Sequence, residues 1–168
     1  DQRKLPHIEE FVICENISQT FDCIQTLAVR GAPAIGIAAA YGLLLGLEKF
    51  TGSNIWAELE RRCDYLIDAR PTAINLAWAI NRMRDRGKQC LNEADIFSVL
   101  LEEARSIYEE DKAACNAIGE TGLPLVKKYP NVLTHCNAGA LATTGIGTAT
   151  APMYLAHNKG KKFSVFAD

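Results

Sequence analysis

The chain has 168 residues, of which 48% are apolar, and carries a formal net charge of −2. This length suffices for one ordinary domain with its own core, and the composition excludes an intrinsically disordered chain. The charge is close to neutral and no basic stripe occurs, so nucleic acid is not an expected partner. The polar start, Asp1–Lys4, is unlike a secretory signal peptide, and we expect a cytoplasmic protein.

Six cysteines are spread along the chain without a CxxC pair, and no histidine follows any of them at a zinc-binding spacing. We therefore expect reduced thiols, with neither a disulfide framework nor a metal site. The longest apolar run, residues 32–47, is short for a membrane span and contains Pro33 and three glycines. It is interpreted as a buried helix, so no membrane partner is expected.

The first part of the chain predicts one strand, at residues 11–14, and then a series of helices. Ser18 is the predicted N-cap of the first helix. A second helix, about 34–50, is rich in Ala and Gly. Because each glycine lowers helix stability by ~1 kcal/mol relative to alanine, burial must offset this cost, and the helix is placed centrally. A third helix is predicted at residues 54–68.

Two more helices are predicted before the domain boundary. The first carries Ile74, Ala77, Trp78 and Ile80 and ends near Arg86–Gly87. The second is capped by Asn92 and runs to about residue 118, where Glu120–Gly122 ends it.

Tyr129–Pro130 is the predicted domain boundary, with a mostly helical domain over residues 1–129 and the start of a second domain over residues 130–168. After it come a strand at 131–135, a glycine-rich turn, a helix to about Lys159 and a strand at 163–166. This βαβ pattern predicts an α/β fold with a parallel sheet. Two strands do not make an independent sheet, so we expect either a fragment or a second chain that supplies the remaining strands.

One cysteine lies in a position suited to chemistry. Cys136 follows the strand at 131–135 in a small-residue loop, and ligands of open α/β sheets bind at that edge. A helix predicted directly after the loop would stabilise a thiolate there. Cys136 can then be a nucleophile, a proton-transfer group or a group that stabilises developing charge, and an inert buried cysteine is the alternative. Asn137 can donate to a sugar hydroxyl or an oxyanion, or can cap a helix. His135 is not expected to activate Cys136, because neighbours on a strand point to opposite faces.

Two arginines precede predicted helices in similar loops. Arg30 is followed by Gly31, Ala32 and a proline, and Arg70 by Pro71 and a threonine. Helix N-termini bind anions, and a guanidinium clamps phosphate through two hydrogen bonds. Together the two loops predict a phosphorylated small molecule as ligand, although each arginine alone can be a surface charge. The loops lack P-loop spacing, so ATP and GTP are not indicated.

Three stretches resemble one family, methylthioribose-1-phosphate isomerase, which is related to the regulatory subunits of the eukaryotic initiation-factor exchange complex. They are Val29–Gly42, Ala69–Ala79 and Leu133–Thr143, and the segments Asp1–Pro6 and Asn116–Gly119 also match. The resemblance covers nearly the whole chain. It implies a helical N-terminal domain followed by the first βαβ unit of an incomplete Rossmann-like parallel sheet.

The resemblance also implies a reaction, the conversion of 5-methylthioribose 1-phosphate to 5-methylthioribulose 1-phosphate in methionine salvage, without metal or organic cofactor. By motif, Arg30, Gly31, Ala32 and Arg70 would bind substrate, and Cys136 would stabilise the transition state. The implied partners are a phosphorylated sugar, and either a second copy of the full-length enzyme or the missing C-terminal half as a separate chain.

The chain departs from this family in length, since family members are roughly twice as long. Their proton-donating Asp, a Gln and an Asn-Lys pair lie in later motifs that this sequence lacks. Asp168 resembles the start of a different motif, Ala-Asp-Glu-Thr-Arg, and not the proton donor. Three alternatives remain open: a ribose 1,5-bisphosphate isomerase, a non-catalytic regulatory subunit of a guanine-nucleotide exchange complex, and a nonfunctional truncated product.

Overall fold

The structure, a computed structural model, describes residues 1–168, which form two compact units, Asp1–Ile107 and Tyr108–Asp168. The α-helices and strands are, in chain order, α1 (Ile17–Gln25), α2 (Ala32–Leu44), α3 (Ile55–Ile67), α4 (Ile74–Lys88), α5 (Ile96–Lys128), β1 (Asn131–Thr134), α6 (Ala151–Asn158) and β2 (Ser164–Ala167). Short 3₁₀ turns lie at Leu47–Lys49, Glu93–Asp95 and Ala140–Ala142. The predicted division into domains 1–129 and 130–168 stays a prediction.

Helix α2 is the centre of the first unit, as its composition predicts. Its side chains at Ala39, Ala40 and Leu43 are fully buried, and it packs against α1, α3 and most extensively α4. The close approach to α4 occurs at Gly36, where a Cβ would lie 2.7 Å from the Asn75 carbonyl oxygen. The stretch Ala32–Lys49 is apolar and long enough to count as a weak membrane-span candidate, but half of it is buried within the protein.

A buried arginine fixes the C-terminal end of α2. Arg62 on α3 donates through Nη1 to the carbonyl oxygens of Leu43 (3.1 Å) and Leu45 (2.8 Å). Its Nε donates to Glu58 at 2.7 Å. A guanidinium at a helix C-terminus satisfies unpaired carbonyl groups and opposes the negative end of the helix dipole. Hydrogen bonds from Arg61 and then Arg62 lower the pKa of Glu58 to about 2.

We expect Arg62→Ala to lower the free energy of unfolding by about 2–4 kcal/mol, because two carbonyl groups and a carboxylate lose their buried partner. Arg61→Ala is the matched control. Arg61 pairs with the same Glu58, but its side chain is 62% exposed against 9% for Arg62. We expect a loss below about 1 kcal/mol for the control. Denaturant unfolding of both variants measures this, and equal losses would refute the capping role.

The N-terminal segment differs from its prediction. Residues 11–14 form no strand, and Phe11 and Ile13 are more than 80% exposed. Their apolar, β-prone sequence has no neighbouring strand to pair with, and a single strand leaves its backbone groups unpaired. The cap of α1 is Asn16, not Ser18, because the Asn16 side chain accepts from Gln19 N–H.

The apolar residues predicted for α4 are confirmed only in part, and the predicted end of α5 is wrong. Ile80 is fully buried, but Ile74 and Trp78 are exposed by 82% and 50%. Leu76 and Met83 complete the buried face of α4. Trp78 lies under the Arg82 guanidinium on the outer surface. Helix α5 does not stop at 120–122 but continues to Lys128. Its cap at Asn92 serves the preceding 3₁₀ turn.

The glycines that favoured an earlier end of α5 serve close packing against α6. A Cβ at Gly119 would lie 2.8 Å from the Leu155 side chain, and one at Gly122 would overlap Pro152. Burial of this helix pair, with Leu123 and Ala156 at its core, offsets the low propensity of glycine.

The predicted βαβ unit is confirmed in the second unit. Strands β1 and β2 pair in parallel, with Asn131 opposite Ser164 and Thr134 opposite Ala167. Helix α6 lies between them in the chain. Their carboxyl ends therefore meet at one edge, directly before residues 135 and 168. The α/β fold class is confirmed.

Candidate functional site

The Arg30 loop has the backbone of an anion site. Gly31, the N-cap of α2, has φ 103° and ψ 135°, a region that favours glycine. No side chain caps α2, and Pro33 lies in its first turn. The N–H groups of that turn are therefore not consumed by a capping side chain. Arg30 is exposed, and its Nε donates to Gln2 Oε1 at 3.3 Å.

The Arg70 loop repeats this arrangement at α4. The N-cap Ala73 provides no capping side chain, so the first turn of α4 is also open. The loop is closed by its own backbone, since Ala73 N–H donates to the Arg70 carbonyl at 2.9 Å. Arg70 is half-buried, and its guanidinium makes no hydrogen bond or ion pair. A half-buried cation without a partner is suited to an anionic ligand.

The two loops belong to helices that touch near their N-terminal ends. Gly36, in the second turn of α2, meets Asn75 and Ala79 in the first two turns of α4. Each arginine precedes its contact residue by five or six positions (30 to 36, and 70 to 75). The first unit thus brings the starts of both arginine-bearing helices to one region.

In the second unit, Cys136 is an exposed free thiol with an unusual backbone. Its backbone φ is 70°, in the left-handed region that residues other than Gly, Asn and Asp rarely occupy. Such a conformation costs roughly 1–2 kcal/mol. Strain of this kind clusters at functional sites, where a side chain must be aimed away from the path that its backbone would otherwise take. Cys136 is exposed in this chain, whereas an inert structural cysteine is expected to be buried.

The loop that follows Cys136 is held by internal hydrogen bonds. The Ala138 carbonyl accepts from Thr148 N–H at 2.9 Å and from the Thr150 hydroxyl at 3.1 Å. Further along, Asp111 on α5 accepts from the backbone N–H (2.8 Å) and hydroxyl (2.7 Å) of Thr144. These bonds fix the loop on the α5–α6 pair and so define the direction in which Cys136 projects.

A histidine–aspartate pair lies beside Cys136. His135 Nδ1 is 2.6 Å and 2.5 Å from the two carboxylate oxygens of Asp168. The pair closes the carboxyl edge of the sheet, one residue beyond the last paired positions of β1 and β2. Strand β1 ends at Thr134, so the alternation of side chains along a strand does not apply to His135 and Cys136. The His135 ring contacts Asp168.

One element of the sequence-based site is wrong. No α-helix follows the Cys136 loop directly: a single 3₁₀ turn at Ala140–Ala142 comes first, and α6 begins only at Ala151. Seven small or polar residues between these elements favour turns over helix. Asn137 caps no helix, since the N-cap of the 3₁₀ turn is Gly139. The thiol therefore has a tight loop beside it, not a helix start.

Two side chains near these loops were missed from the sequence. Gln2 contacts the Arg30 loop, and Asp111 anchors Thr144. Both are contacts between distant segments and carry no local signal. Asp168 was considered for its place after the second strand, but its contact with His135 was not predicted. That contact follows from the sheet register, which places the residues after β1 and β2 opposite each other.

Comparison with known proteins identifies the family. The initiation factor 2 subunit family matches residues 28–168, most of the chain. The chain belongs to this family. The three motifs that indicated the resemblance lie within the matched range.

Members of the initiation factor 2 subunit family with different names resemble the chain. The 5-deoxyribose 1-phosphate isomerase of Petrotoga mobilis is 46% identical over 173 residues, which cover 100% of this chain and 50% of the relative. The crystal structure of 5-methylthioribose 1-phosphate isomerase from Pyrococcus horikoshii OT3 is similar with a TM-score of 0.89 and 33% identity, over 98% of this chain and 47% of that one.

A third member of the family is the translation initiation factor eIF-2B subunit delta from A. fulgidus, with a TM-score of 0.87 and 36% identity. The match covers 99% of this chain and 50% of that chain. The chain thus spans about half the length of the relatives that it matches. The structural matches support the α/β fold class but do not identify a ligand of this chain.

Proposed function

We propose that the complete protein is a sugar-phosphate isomerase that converts 5-methylthioribose 1-phosphate to 5-methylthioribulose 1-phosphate in methionine salvage. The observation that carries the proposal is the strained, exposed Cys136 at the carboxyl edge of the parallel strands. A subunit that served only as a scaffold would gain nothing from a thiol held in that conformation. Relatives named as isomerases of pentose 1-phosphates support the same reading.

The proposed division of labour follows from the loops. Arg30, the backbone N–H groups of Gly31 and Ala32, and Arg70 bind the phosphate and fix the sugar. Cys136 stabilises charge that develops in the transition state. Isomerisation moves a hydrogen between neighbouring carbons without net oxidation, so these groups need no cofactor. We place the protein in the cytoplasm, as a homodimer of the full-length enzyme or with its second half as a separate chain.

A non-catalytic regulatory subunit of a guanine-nucleotide exchange complex is the second candidate. The similarity to the initiation factor eIF-2B subunit delta favours it. Such a subunit would bind sugar phosphates without converting them. Ribose 1,5-bisphosphate and 5-deoxyribose 1-phosphate are the alternative substrates for an enzyme, the latter because a relative is named for it.

The deciding experiment is a substrate panel with the complete protein. We expect 5-methylthioribose 1-phosphate to be converted with the highest kcat/KM of the panel. Chromatography of the ketose product measures the turnover. A higher value for 5-deoxyribose 1-phosphate or ribose 1,5-bisphosphate would correct the substrate. Binding without turnover of all three would favour the regulatory subunit.

The role of Arg70 gives a quantitative prediction. Arg70→Ala is expected to raise the dissociation constant for the sugar phosphate about ten- to a hundredfold, because a charge-assisted contact contributes ~1.5–3 kcal/mol. Arg70→Lys should lose less, since it keeps the charge but not the planar fork. Arg105→Ala, an exposed arginine on α5, is the control and should bind as the wild type does. Isothermal calorimetry measures all three, and unchanged affinity of Arg70→Ala would refute the assignment.

A further inference from the structure

The segment Asp1–Pro6 matches the family pattern, yet the proposed site does not use it. Within it, Gln2 contacts the Arg30 loop at three points. Gln2 N–H donates to the Ala28 carbonyl at 2.8 Å. The side-chain Nε2 donates to the Arg30 carbonyl at 3.3 Å, and Oε1 accepts from Arg30 Nε at 3.3 Å. One amide thus bonds both the backbone and the guanidinium of the same residue.

We infer that Gln2 is a positioning residue that orients Arg30 for the phosphate of the substrate. The inference rests on the proposed function of the Arg30 loop. The orientation of the amide is fixed by its partners, because the flipped amide would set NH₂ against the guanidinium and oxygen against the carbonyl. With Nε engaged by Gln2, the terminal nitrogens of Arg30 remain for an anion, which they can bind as a fork.

The backbone next to Arg30 makes this orientation necessary. Arg30 is exposed and precedes Gly31, whose φ of 103° turns the chain sharply into α2. A long exposed side chain beside such a turn would sample many rotamers, and ordering it costs free energy on binding. Gln2 limits that freedom before the ligand arrives. It also satisfies the Arg30 carbonyl, so the N–H groups of α2 keep their direction.

A purely structural tether is the competing explanation, and the contacts allow the two to be separated. The Gln2 N–H bond to Ala28 does not involve the side chain and survives substitution. Gln2→Ala removes the two amide contacts with Arg30. Gln2→Glu places a carboxylate beside Arg30, which strengthens the contact with Nε and competes with phosphate for the guanidinium, but it loses the donor to the Arg30 carbonyl.

The test uses the complete protein with 5-methylthioribose 1-phosphate. We expect Gln2→Ala to raise KM and the calorimetric dissociation constant about tenfold, with kcat within about twofold of wild type. Gln2→Glu should raise both constants further than Gln2→Ala does, because its carboxylate competes with the phosphate for the Arg30 guanidinium. Gln89→Ala, an exposed glutamine at the end of α4, is the matched control and should change neither. A tether alone would instead lower the melting temperature of Gln2→Ala and leave Gln2→Glu with normal affinity, which would overturn the inference.

A second measurement reports on the Gln2–Arg30 contact without any substrate. The ¹⁵N–¹H resonance of Arg30 Nε, assigned by its loss in Arg30→Lys, should shift in Gln2→Ala because its hydrogen bond is lost. An unchanged resonance would overturn the inference even where binding is weakened. If the wild type neither converts nor binds any sugar phosphate of the panel, the proposed function fails and the phosphate-orienting role of Gln2 falls with it. The resonance then shows whether the contact itself exists.

Discussion

Cys136→Ser is expected to lower kcat of the complete enzyme about 10²–10³-fold, the loss typical of removing one transition-state stabilising group. A serine hydroxyl has nearly the same size but is far less acidic and less polarisable than a thiol. The side chain is exposed, so the free energy of unfolding should change by less than about 1 kcal/mol. Steady-state kinetics and denaturant unfolding on the same preparation measure both quantities.

The backbone of Cys136 sharpens this test. Glycine adopts a φ of 70° without the steric penalty that a side chain pays there. Cys136→Gly should therefore be as inactive as the serine variant yet no less stable than wild type. Cys90→Ser is the control, because Cys90 is also a free, half-exposed loop thiol and a serine can keep its hydrogen bond to the Asn92 carbonyl. Loss of folding in the Cys136 variants, with normal specific activity of the folded fraction, would contradict a functional thiol.

The sequence predicted those parts of the fold that depend on local patterns. Helices α2 and α3 and the βαβ unit follow from strong periodicity, capping residues and glycine-rich turns, and the structure has them. The α/β fold class follows because two strands joined by a helical crossover are typical of a parallel sheet.

The errors arise where tertiary packing overrides local preference. Glycines at 119 and 122 predicted the end of α5, but their lack of a side chain is what lets α6 approach. On α4, Ile74 and Trp78 are apolar yet exposed, because the face with Asn75 and Ala79 fits against Gly36. Such choices depend on the partner element, which the local sequence does not contain.

The candidate site, too, could be predicted from the sequence only in part. Residue type and loop position predicted Arg30, Arg70 and Cys136, because two arginines in similar loops before helices together favour a phosphate ligand and the thiol lies in a loop after a strand. The left-handed conformation of Cys136 could not be predicted, because cysteine has no preference for it. The contact from Gln2 to Arg30 spans 28 residues and leaves no periodic trace.

The 168-residue chain by itself is expected to have at most about 10⁻²–10⁻⁴ of the activity of the complete protein. The family resemblance places the proton donor in a later motif, and a general acid or base contributes about 10²–10⁴ in rate. The structure adds a physical reason. Leu133 and Phe166 on the two strands are 76% and 59% exposed, and each strand has only one neighbour. A parallel sheet is normally covered by helices on both faces, so this surface favours association or aggregation in isolation.

The measurement is an assay of the purified 168-residue chain with 5-methylthioribose 1-phosphate, alone and mixed with the remaining half of the protein. We expect no turnover above background alone, recovery of activity on mixing, and a single complex of both halves in size-exclusion chromatography. Leu133→Lys, on the exposed strand surface, should reduce this recovery, whereas Lys127→Ala on the exposed end of α5 should leave it intact. Full turnover by the verified 168-residue species without a second chain would contradict the prediction, because the proton donor would then have to lie within these 168 residues.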